Sequence, residues 1–382
     1  MLPNKAETIQ TASTANDVHC DECARVVYIP RLAHKQRAHC PRCRYVLTTY
    51  YQNMPSKIVA LALAALLFML ASVSFEFLSF SVSGQSHTID MLGSIQTLID
   101  YDYALLALLL ISAILLLPLS VLLGLLYLLL PVVFGSRPRY ARPVLKLVFA
   151  LLPWTMAEIY LVAVLVSLVK IMSMADIGIG LSFYAYALFT LCMTGSLLYL
   201  DRHQLYLLTT SKAPPSHFSL PAHRSVQFTW ALLFTSVLLY IPANFLPIMH
   251  TTVLGYDEPS TILGGVIILW EMGSYPIAVI IFIASIFVPI AKICTLCWLN
   301  YSVQVGFNHK KQERMMCYRI TEFVGRWSMI DVFVVAILVS LIQLGNIMSI
   351  YPGYAALAFC AVVILTMLAA QSFDTKLIWS KQ

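Results

Sequence analysis

The sequence predicts an all-α polytopic membrane protein with eight transmembrane helices, arranged as two tandem parallel four-helix repeats. Three observations predict this fold class: the composition, the spacing of the apolar runs and an internal repeat. Of the 382 residues, 60% are hydrophobic and only 11% are charged, a charged share less than half that of an average soluble domain. This composition excludes a soluble globular fold, a disordered chain, a coiled coil and collagen.

The first predicted element is a polar arm, residues 1–56, which lacks the pattern of a secretory signal peptide. It contains Cys20-Asp-Glu-Cys23, then 16 residues, then Cys40-Pro-Arg-Cys43. Two C-x-x-C knuckles at this spacing can place four thiolates tetrahedrally around one ion. We therefore expect a zinc ribbon with a closed, structural Zn²⁺ site, while the same ligands could also hold iron in a rubredoxin-like centre. A disulfide is not expected on the reducing cytoplasmic side.

Eight apolar runs follow the arm, and each is long enough for a membrane-spanning helix of about 20 residues. They lie at 58–75, 104–134, 144–170, 181–200, 228–247, 276–300, 327–349 and 354–372. The run at 104–134 is too long for a perpendicular span, so we expect it to tilt or to kink near Pro118.

The basic residues predict which side each connection faces. If eight helices alternate, 22 of the 24 Lys and Arg residues fall on one side, in the arm, in three connections and in the tail. The opposite loops, near 76–103 and 248–275, contain none. By the positive-inside rule, both termini are cytoplasmic.

Both outer loops contain patterns of regular structure. Residues 75–83 partly alternate apolar and polar side chains, which indicates a strand, and the amphipathic piece 91–98 follows a turn at 84–86. The second loop has a similar piece at 261–268. Because loops of this length are uncommon unless they have a function, we expect each of the two to form a small extracytoplasmic cap of strand and helix and not a simple connection.

An internal repeat organises the membrane part. Residues 154–169 and 327–342 are identical at eight of 16 positions and share a Trp-x-Met-x-acid frame at an offset of 173. At an offset of 171, Pro118 corresponds to Pro289. Each copy has an even number of spans, so the copies share one orientation. The predicted domains are the arm (1–56), a first four-helix repeat (57–206), a cytoplasmic linker (207–227) and a second repeat (228–382).

Ionisable residues at membrane depth are costly, so each is a functional candidate. Glu158 and Asp331 are equivalent in the two repeats, whereas Lys292 corresponds to Val121 and is unique to the second. A pair of Lys292 with Asp331 would lower the cost of burial. The predicted polar network comprises Ser285, Lys292, Ser328, Asp331, Thr366 and Glu158. The alternatives are a static ion pair that locks helices together, and acids that reach water at the cytoplasmic helix ends.

No motif of a common enzyme class occurs. The chain has no glycine-rich phosphate loop, no H-E-x-x-H motif and nothing resembling a Ser-His-Asp site. The basic residues are scattered without interleaved aromatic residues, so they indicate topology and not a nucleic-acid surface. We expect a protein that is not an enzyme.

The cytoplasmic ribbon, the duplicated unit, the W-x-M-x-[DE] helix and the closing Phe373-Asp-Thr-Lys-Leu-Ile-Trp379 together resemble the paraquat-inducible protein A family, which includes the LetA-type proteins of Gram-negative bacteria. The resemblance covers about residues 19 to 380. It implies an inner-membrane protein of the cell envelope that moves phospholipid between membranes with a periplasm-spanning MCE-domain partner. Family members usually carry a second ribbon before the second unit, but the 201–227 connection contains no cysteine.

Two other functions remain open on the sequence. A membrane redox protein would combine a rubredoxin-like iron centre with a quinone site. A passive scaffold would only anchor the partner. No ATPase motif occurs, so any energy for transport would come from a gradient or from another protein.

Overall fold

The computed structural model describes residues 16–30, 32–82, 85–100, 104–171, 176–210, 221–253, 256–271, 273, 275–306, 310–341 and 348–379. This part of the chain is mostly helical, and its short strands form four small antiparallel sheets. A small N-terminal module precedes two larger helical units that repeat the same order of elements.

The N-terminal module consists of two β-hairpins. Strand β1 (Asn16–His19) pairs with β2 (Val26–Ile29), and β3 (Arg37–His39) pairs with β4 (Val46–Thr49). A C-x-x-C sequence forms the connection in each hairpin. We call residues 16–49 the cysteine module.

The first helical unit follows the module directly. Its elements are α1 (Met54–Ser74), β5 (Glu76–Val82), β6 (Gln85–Asp90), α2 (Met91–Asp100), α3 (Ala104–Val133), α4 (Ala141–Leu151), α5 (Ala157–Ile171), β7 (Asp176–Ile179), α6 (Leu181–Leu198) and α7 (Arg202–Thr210). A 3₁₀ turn at Leu152–Trp154 separates α4 from α5.

The second unit repeats this order. Its elements are α8 (Ala222–Phe245), β8 (Met249–Val253), β9 (Tyr256–Ser260), α9 (Ile262–Glu271), α10 (275–304), α11 (Lys311–Trp327), α12 (Ile330–Leu341), β10 (Met348–Pro352), α13 (Tyr354–Ser372) and a 3₁₀ turn at Thr375–Ile378. In both units the first strand is central in a three-stranded sheet, with the order β6-β5-β7 in the first and β10-β8-β9 in the second.

The repeat extends to a detail within the long helices. A π-helical turn at Ser112–Leu116 interrupts α3, and another at Ile283–Phe287 interrupts α10. The offset is 171 residues, as between Pro118 and Pro289, which are the second residues of the following α-helical segments. The two units therefore correspond residue by residue through these helices.

Seven helices of the described chain are long and apolar enough to cross a membrane. They are Met54–Ser74, Ala104–Val133, Ala141–Leu168, Leu181–Leu198, His223–Phe245, Ala278–Gln304 and Tyr354–Ser372. The segment Ala141–Leu168 combines α4, the 3₁₀ turn and most of α5. The remaining predicted run, 327–349, contains α12, while residues 342–347 lie outside the described part. The chain is a multi-pass membrane protein, and the count of eight spans stays a prediction.

The sheets lie at one end of the helices, and the cysteine module lies at the other. We call these the sheet end and the module end. The predicted strand near 75–83 is β5, and the pieces at 91–98 and 261–268 are α2 and α9. Of the six strands in these two sheets only β5 was predicted individually. Small sheets with adjoining helices are therefore confirmed in both loops.

Close packing of glycine against the central strand holds each sheet to its helix. Gly180 and Gly353 precede α6 and α13, and their N–H groups donate to the carbonyls of Phe77 (3.1 Å) and Ile248 (2.8 Å). A Cβ on Gly353 would collide with the backbone oxygen of Pro247. Both positions therefore require glycine for close approach of two backbones.

Replacement of Gly353 by alanine is expected to destabilise the protein by about 1–3 kcal/mol, because the sheet must move away from α13 to admit a methyl group. A lowered thermal midpoint of the purified protein would show this. Gly265→Ala is the control, since a Cβ there meets nothing within 4 Å. Equal midpoints for the two variants would contradict the packing argument.

The two units meet through α5 and α12, which carry the Trp-x-Met-x-acid frame at or before their first turns. Tyr160 of α5 and Phe333 of α12 are equivalent residues, and their rings contact edge to face with centroids 5.9 Å apart. Contact between equivalent residues is expected where a pseudo-two-fold axis passes between two copies. A single hydrophobic core accordingly includes side chains of both units.

Candidate functional site

The cysteine module brings four thiols together. The sulfur atoms of Cys20, Cys23, Cys40 and Cys43 all lie within 4.8 Å of one another, and each residue is at least 96% buried. The Sγ atoms of Cys20 and Cys43 are 3.5 Å apart, and those of Cys23 and Cys40 are 3.6 Å apart. Tetrahedral zinc with Zn–S bonds near 2.3 Å needs sulfur separations of roughly 3.8 Å. The donor set therefore fits one metal ion.

The two knuckles have the same backbone geometry. Ala24 and Arg44, each directly after a second cysteine, have left-handed φ values of 57° and 58°. Their N–H groups donate to the carbonyls of Cys20 and Cys40, both at 2.9 Å. These turns point the paired thiols of each hairpin to a common centre.

At Cys40 burial is outweighed by backbone hydrogen bonds, which lower its pKa, but at two other cysteines burial makes the free thiolate unfavourable. Burial raises the pKa of Cys20 well above the usual range and that of Cys23 to about 11. A cation at the centre would offset this cost and release protons on binding. Because four thiolates complete a tetrahedral site, no position is left open for a substrate, and the expected role is structural.

The module is anchored to the first unit by two consecutive residues after α6. The carboxylate of Asp201 accepts hydrogen bonds from the Thr48 hydroxyl (2.8 Å) and the Thr49 N–H (2.7 Å). Arg202 forms an ion pair with Asp21 at 2.7 Å. Strand β4 and the first knuckle are thus both held to the first unit.

The module also contacts the second unit. Arg42 donates to the carbonyl of Trp379 (3.2 Å) and lies 4.9 Å from the centre of its ring. Arg319 of α11 donates to the carbonyl of Cys43 (3.2 Å), and Gln312 donates to that of Arg42 (3.3 Å). The second knuckle therefore links the four clustered cysteines to the second unit, and the module bridges both units at the module end.

Replacement of Asp201 by alanine is expected to weaken docking of the module by about 3 kcal/mol, because two buried donors lose a charged acceptor. Trypsin cleavage after Arg37 should then accelerate by at least about tenfold, the factor that corresponds to 1.4 kcal/mol. Glu313→Ala removes an exposed carboxylate that pairs with Lys310 and should leave cleavage unchanged. Slow cleavage of Asp201→Ala, as in the unmodified protein, would show that these bonds do not hold the module.

The residues of the predicted polar network lie on neighbouring elements of the second unit, except Glu158. Helix α10 contacts α11 and α13, and α12 contacts both α13 and the π-helical turn of α10. Ser285 in that turn, Lys292, Ser328 and Thr366 are buried, with 2–4% of their surfaces exposed. Asp331 is half-buried in the first turn of α12.

Glu158 is in a different environment. It is exposed in the first turn of α5, and its carboxylate accepts a hydrogen bond of 2.8 Å from the Thr194 hydroxyl. The equivalent acids of the two units are therefore not in equivalent surroundings.

The side chain of Lys292 lies against α11 at Gly325. Among the described residues its Nζ has no hydrogen-bond partner, and no carboxylate of that part of the chain, including that of Asp331, lies within the 4.0 Å of an ion pair. The expected Lys292–Asp331 pair is not formed in this structure. The membership of both residues in a working network stays a prediction.

Sequence reasoning did not find two groups of residues that the structure places at these sites. The docking residues Asp201, Arg202 and Arg319 act across more than 150 residues of chain, so no local pattern marks them. Gly325 could have been found by comparison of the repeats, since Leu152 corresponds to it.

Comparison with known proteins agrees with the duplicated architecture. A sequence model of the family "Paraquat-inducible protein A" matches the chain twice, at residues 56–209 and 226–382. The chain is 39% identical over 409 aligned positions to "Intermembrane transport protein PqiA" of Escherichia coli, with 96% of each chain covered. No solved structure matches it.

More distant relatives also match over nearly the full length. A "Probable intermembrane transport protein" of Haemophilus influenzae is 29% identical, with 94% of this chain and 95% of the relative covered. "Lipophilic envelope-spanning tunnel protein A" of Escherichia coli is 28% identical, with 94% and 90% covered. With both units matched and a relative at 39% identity, the chain belongs to the paraquat-inducible protein A family.

Proposed function

We propose that this chain is the inner-membrane subunit of a system that transports phospholipid between membranes, and that it loads or unloads lipid for a periplasm-spanning MCE-domain partner. The observation that carries the proposal is the full-length similarity to proteins named for intermembrane transport and for an envelope-spanning tunnel. These names are those of transport proteins, in agreement with a role that is not enzymatic.

The proposed orientation places both termini and the cysteine module in the cytoplasm and both sheets in the periplasm. The distribution of Lys and Arg supports it by the positive-inside rule. The sheet end then faces the partner. Acidic residues and no basic ones occur in the loops that form it, so a complementary basic surface on the partner would favour docking.

The polar residues of the second unit give the proposal a physical route. A phospholipid headgroup is polar, so its passage along a helix bundle needs polar side chains in place of water. In our proposal Ser285, Lys292, Ser328, Asp331 and Thr366 line or gate this route. Glu158, exposed and bonded to Thr194, would act at its edge in the first unit. Zn²⁺ in the cysteine module would fix the position of the module on both units.

Photocrosslinking of lipid in cells tests the route. A photoreactive amino acid at Ser285 or Thr366 should capture ³²P-labelled phospholipid, although both residues are 2% exposed and out of reach of bulk lipid. Ser182 of the first unit is a matched control, since it is fully buried and donates to the carbonyl of Ser72 (2.7 Å). Absence of captured lipid at Ser285 and Thr366, with partner binding intact, would refute the route.

A further inference from the structure

The second unit contains an unusually close approach between a lysine and a glycine. Lys292 of α10 is 4% exposed, and its side chain lies over Gly325 of α11. A Cβ built on Gly325 would be 2.6 Å from Nζ and 2.8 Å from Cε of Lys292. Real Cβ atoms do not come so close, so any side chain at position 325 would displace the end of Lys292.

The first unit fills the equivalent place differently. At the established offsets, Val121 corresponds to Lys292 and Leu152 corresponds to Gly325. Val121 is fully buried and Leu152 is half-buried. The first unit therefore has two medium-sized apolar side chains at these positions. The second unit has one long side chain, that of Lys292, and a glycine without a side chain. In the second unit the end of the lysine side chain occupies the space that a side chain at position 325 would need.

Each unit has a close glycine contact between its long helix and the helix that follows, but the glycine lies on a different one of the two helices in each unit. In the first unit the glycine is on the long helix, where a Cβ on Gly124 would lie 2.5 Å from Cγ2 of Val148. The equivalents in the second unit are Thr295 and Thr321, which are both larger than glycine. The close glycine contact of the second unit therefore lies at a different position from that of the first unit, and Lys292 is the residue that it meets.

We propose that Gly325 is a positioning residue, which makes the space that holds Lys292 within the second unit. The matched pair of Lys292 and Gly325 then distinguishes the unit that moves lipid from the unit that does not, a part of the inference that rests on the proposed function. A buried ammonium without a partner among the described residues is costly. An apolar side chain at position 325 would raise that cost, whereas the glycine backbone leaves room for the whole lysine stem.

A double-mutant cycle in the full-length protein tests the positioning without any lipid. Gly325→Ala should lower the thermal midpoint by roughly 2–4 °C, the shift typical of 1 kcal/mol in a domain of 150–250 residues. In a Lys292→Val background the same change should leave the midpoint unchanged or raise it, because alanine is the better helix former. Gly195→Ala is the matched control, since its Cβ meets Leu61 at an ordinary 3.5 Å.

The change in thermal midpoint that Gly325→Ala causes in each of the two backgrounds decides whether the proposal holds. If Gly325→Ala lowers the midpoint equally in both backgrounds, Gly325 does not act through Lys292 and the proposal is overturned. If Gly325→Ala does not fold, recovery of folding in Lys292→Val/Gly325→Ala supports the pairing, and failure in both overturns it.

Lipid capture at Thr366 tests whether the positioning of Lys292 by Gly325 matters for transport or only for packing. We expect Gly325→Ala to lose capture, and the double variant to regain stability without capture because it lacks the ammonium. Full capture by Gly325→Ala would overturn the transport part of the inference. If the unmodified protein captures no lipid, the proposed function fails, while the thermal cycle still decides whether Gly325 positions Lys292.

Discussion

Replacement of Cys20 by serine is expected to remove the bound metal ion and to unfold the cysteine module. The module is two short hairpins with a small core, and metal binding of about 10–16 kcal/mol supplies most of the folding energy of such a unit. Three remaining thiols cannot complete the site. Metal analysis of the purified protein should give about one zinc per chain before the change and none after it.

The matched control is Cys360→Ser, which replaces another buried cysteine but lies in α13, outside the metal cluster. It should keep the metal. The same measurement separates zinc from iron: a rubredoxin-like centre would give iron and a visible absorption band. That result would favour the redox function over a structural site. Retention of the full metal content by Cys20→Ser would contradict the four-thiolate site itself.

Loss of either charge in the second unit is expected to slow lipid transport strongly while the protein still inserts into the membrane. Lys292→Met keeps most of the length of the side chain and removes the ammonium, and Asp331→Asn keeps the shape and removes the charge. In the proposed route each charged side chain would hydrogen-bond the lipid headgroup. A hydrogen bond to a charged group contributes about 1.5–3 kcal/mol, so each change should slow transport by at least about tenfold. The measurement is lipid capture at Thr366 in cells, at equal amounts of protein in the membrane.

Lys146→Met provides the control for this pair, since Lys146 is exposed on α4. It should leave capture unchanged. A passive anchor predicts a different result, namely that neither Lys292→Met nor Asp331→Asn affects transport while the partner stays bound. That outcome would leave the two charged residues with a structural role only.

Apolar runs predicted most of the helices because length and composition alone define a span. Apolar runs could not predict helix α11 or the short strands β7 and β10. Helix α11 is amphipathic and carries several charges, so a search for apolar runs assigned 301–326 to a connection. Its buried residues Met315, Tyr318 and Gly325 are three or seven apart, which is a helical spacing. Strands β7 and β10 are four and five residues long, and only pairing with a distant strand makes them regular.

The site was predictable where the ligands are local. Two C-x-x-C knuckles define a metal site from spacing alone, and the structure brings all four thiols together. Docking of the module was not predictable, because the ion pair of Arg202 and Asp21 joins residues 181 apart. Lys292 could be identified because it is a charged residue within an apolar run. Gly325, which it contacts, could not be identified in this way because it lies in another helix.

The paired π-helical turns are a property that the two units share. A π-helical turn accommodates one more residue than an α-helical turn, and each copy has it at the same place. The turn also sets the angular phase of the next helical segment, because deletion of one residue from Ile283–Phe287 would rotate Lys292 by about 100° relative to the preceding segment. The π-helical turn thus determines which face of the following segment carries Lys292.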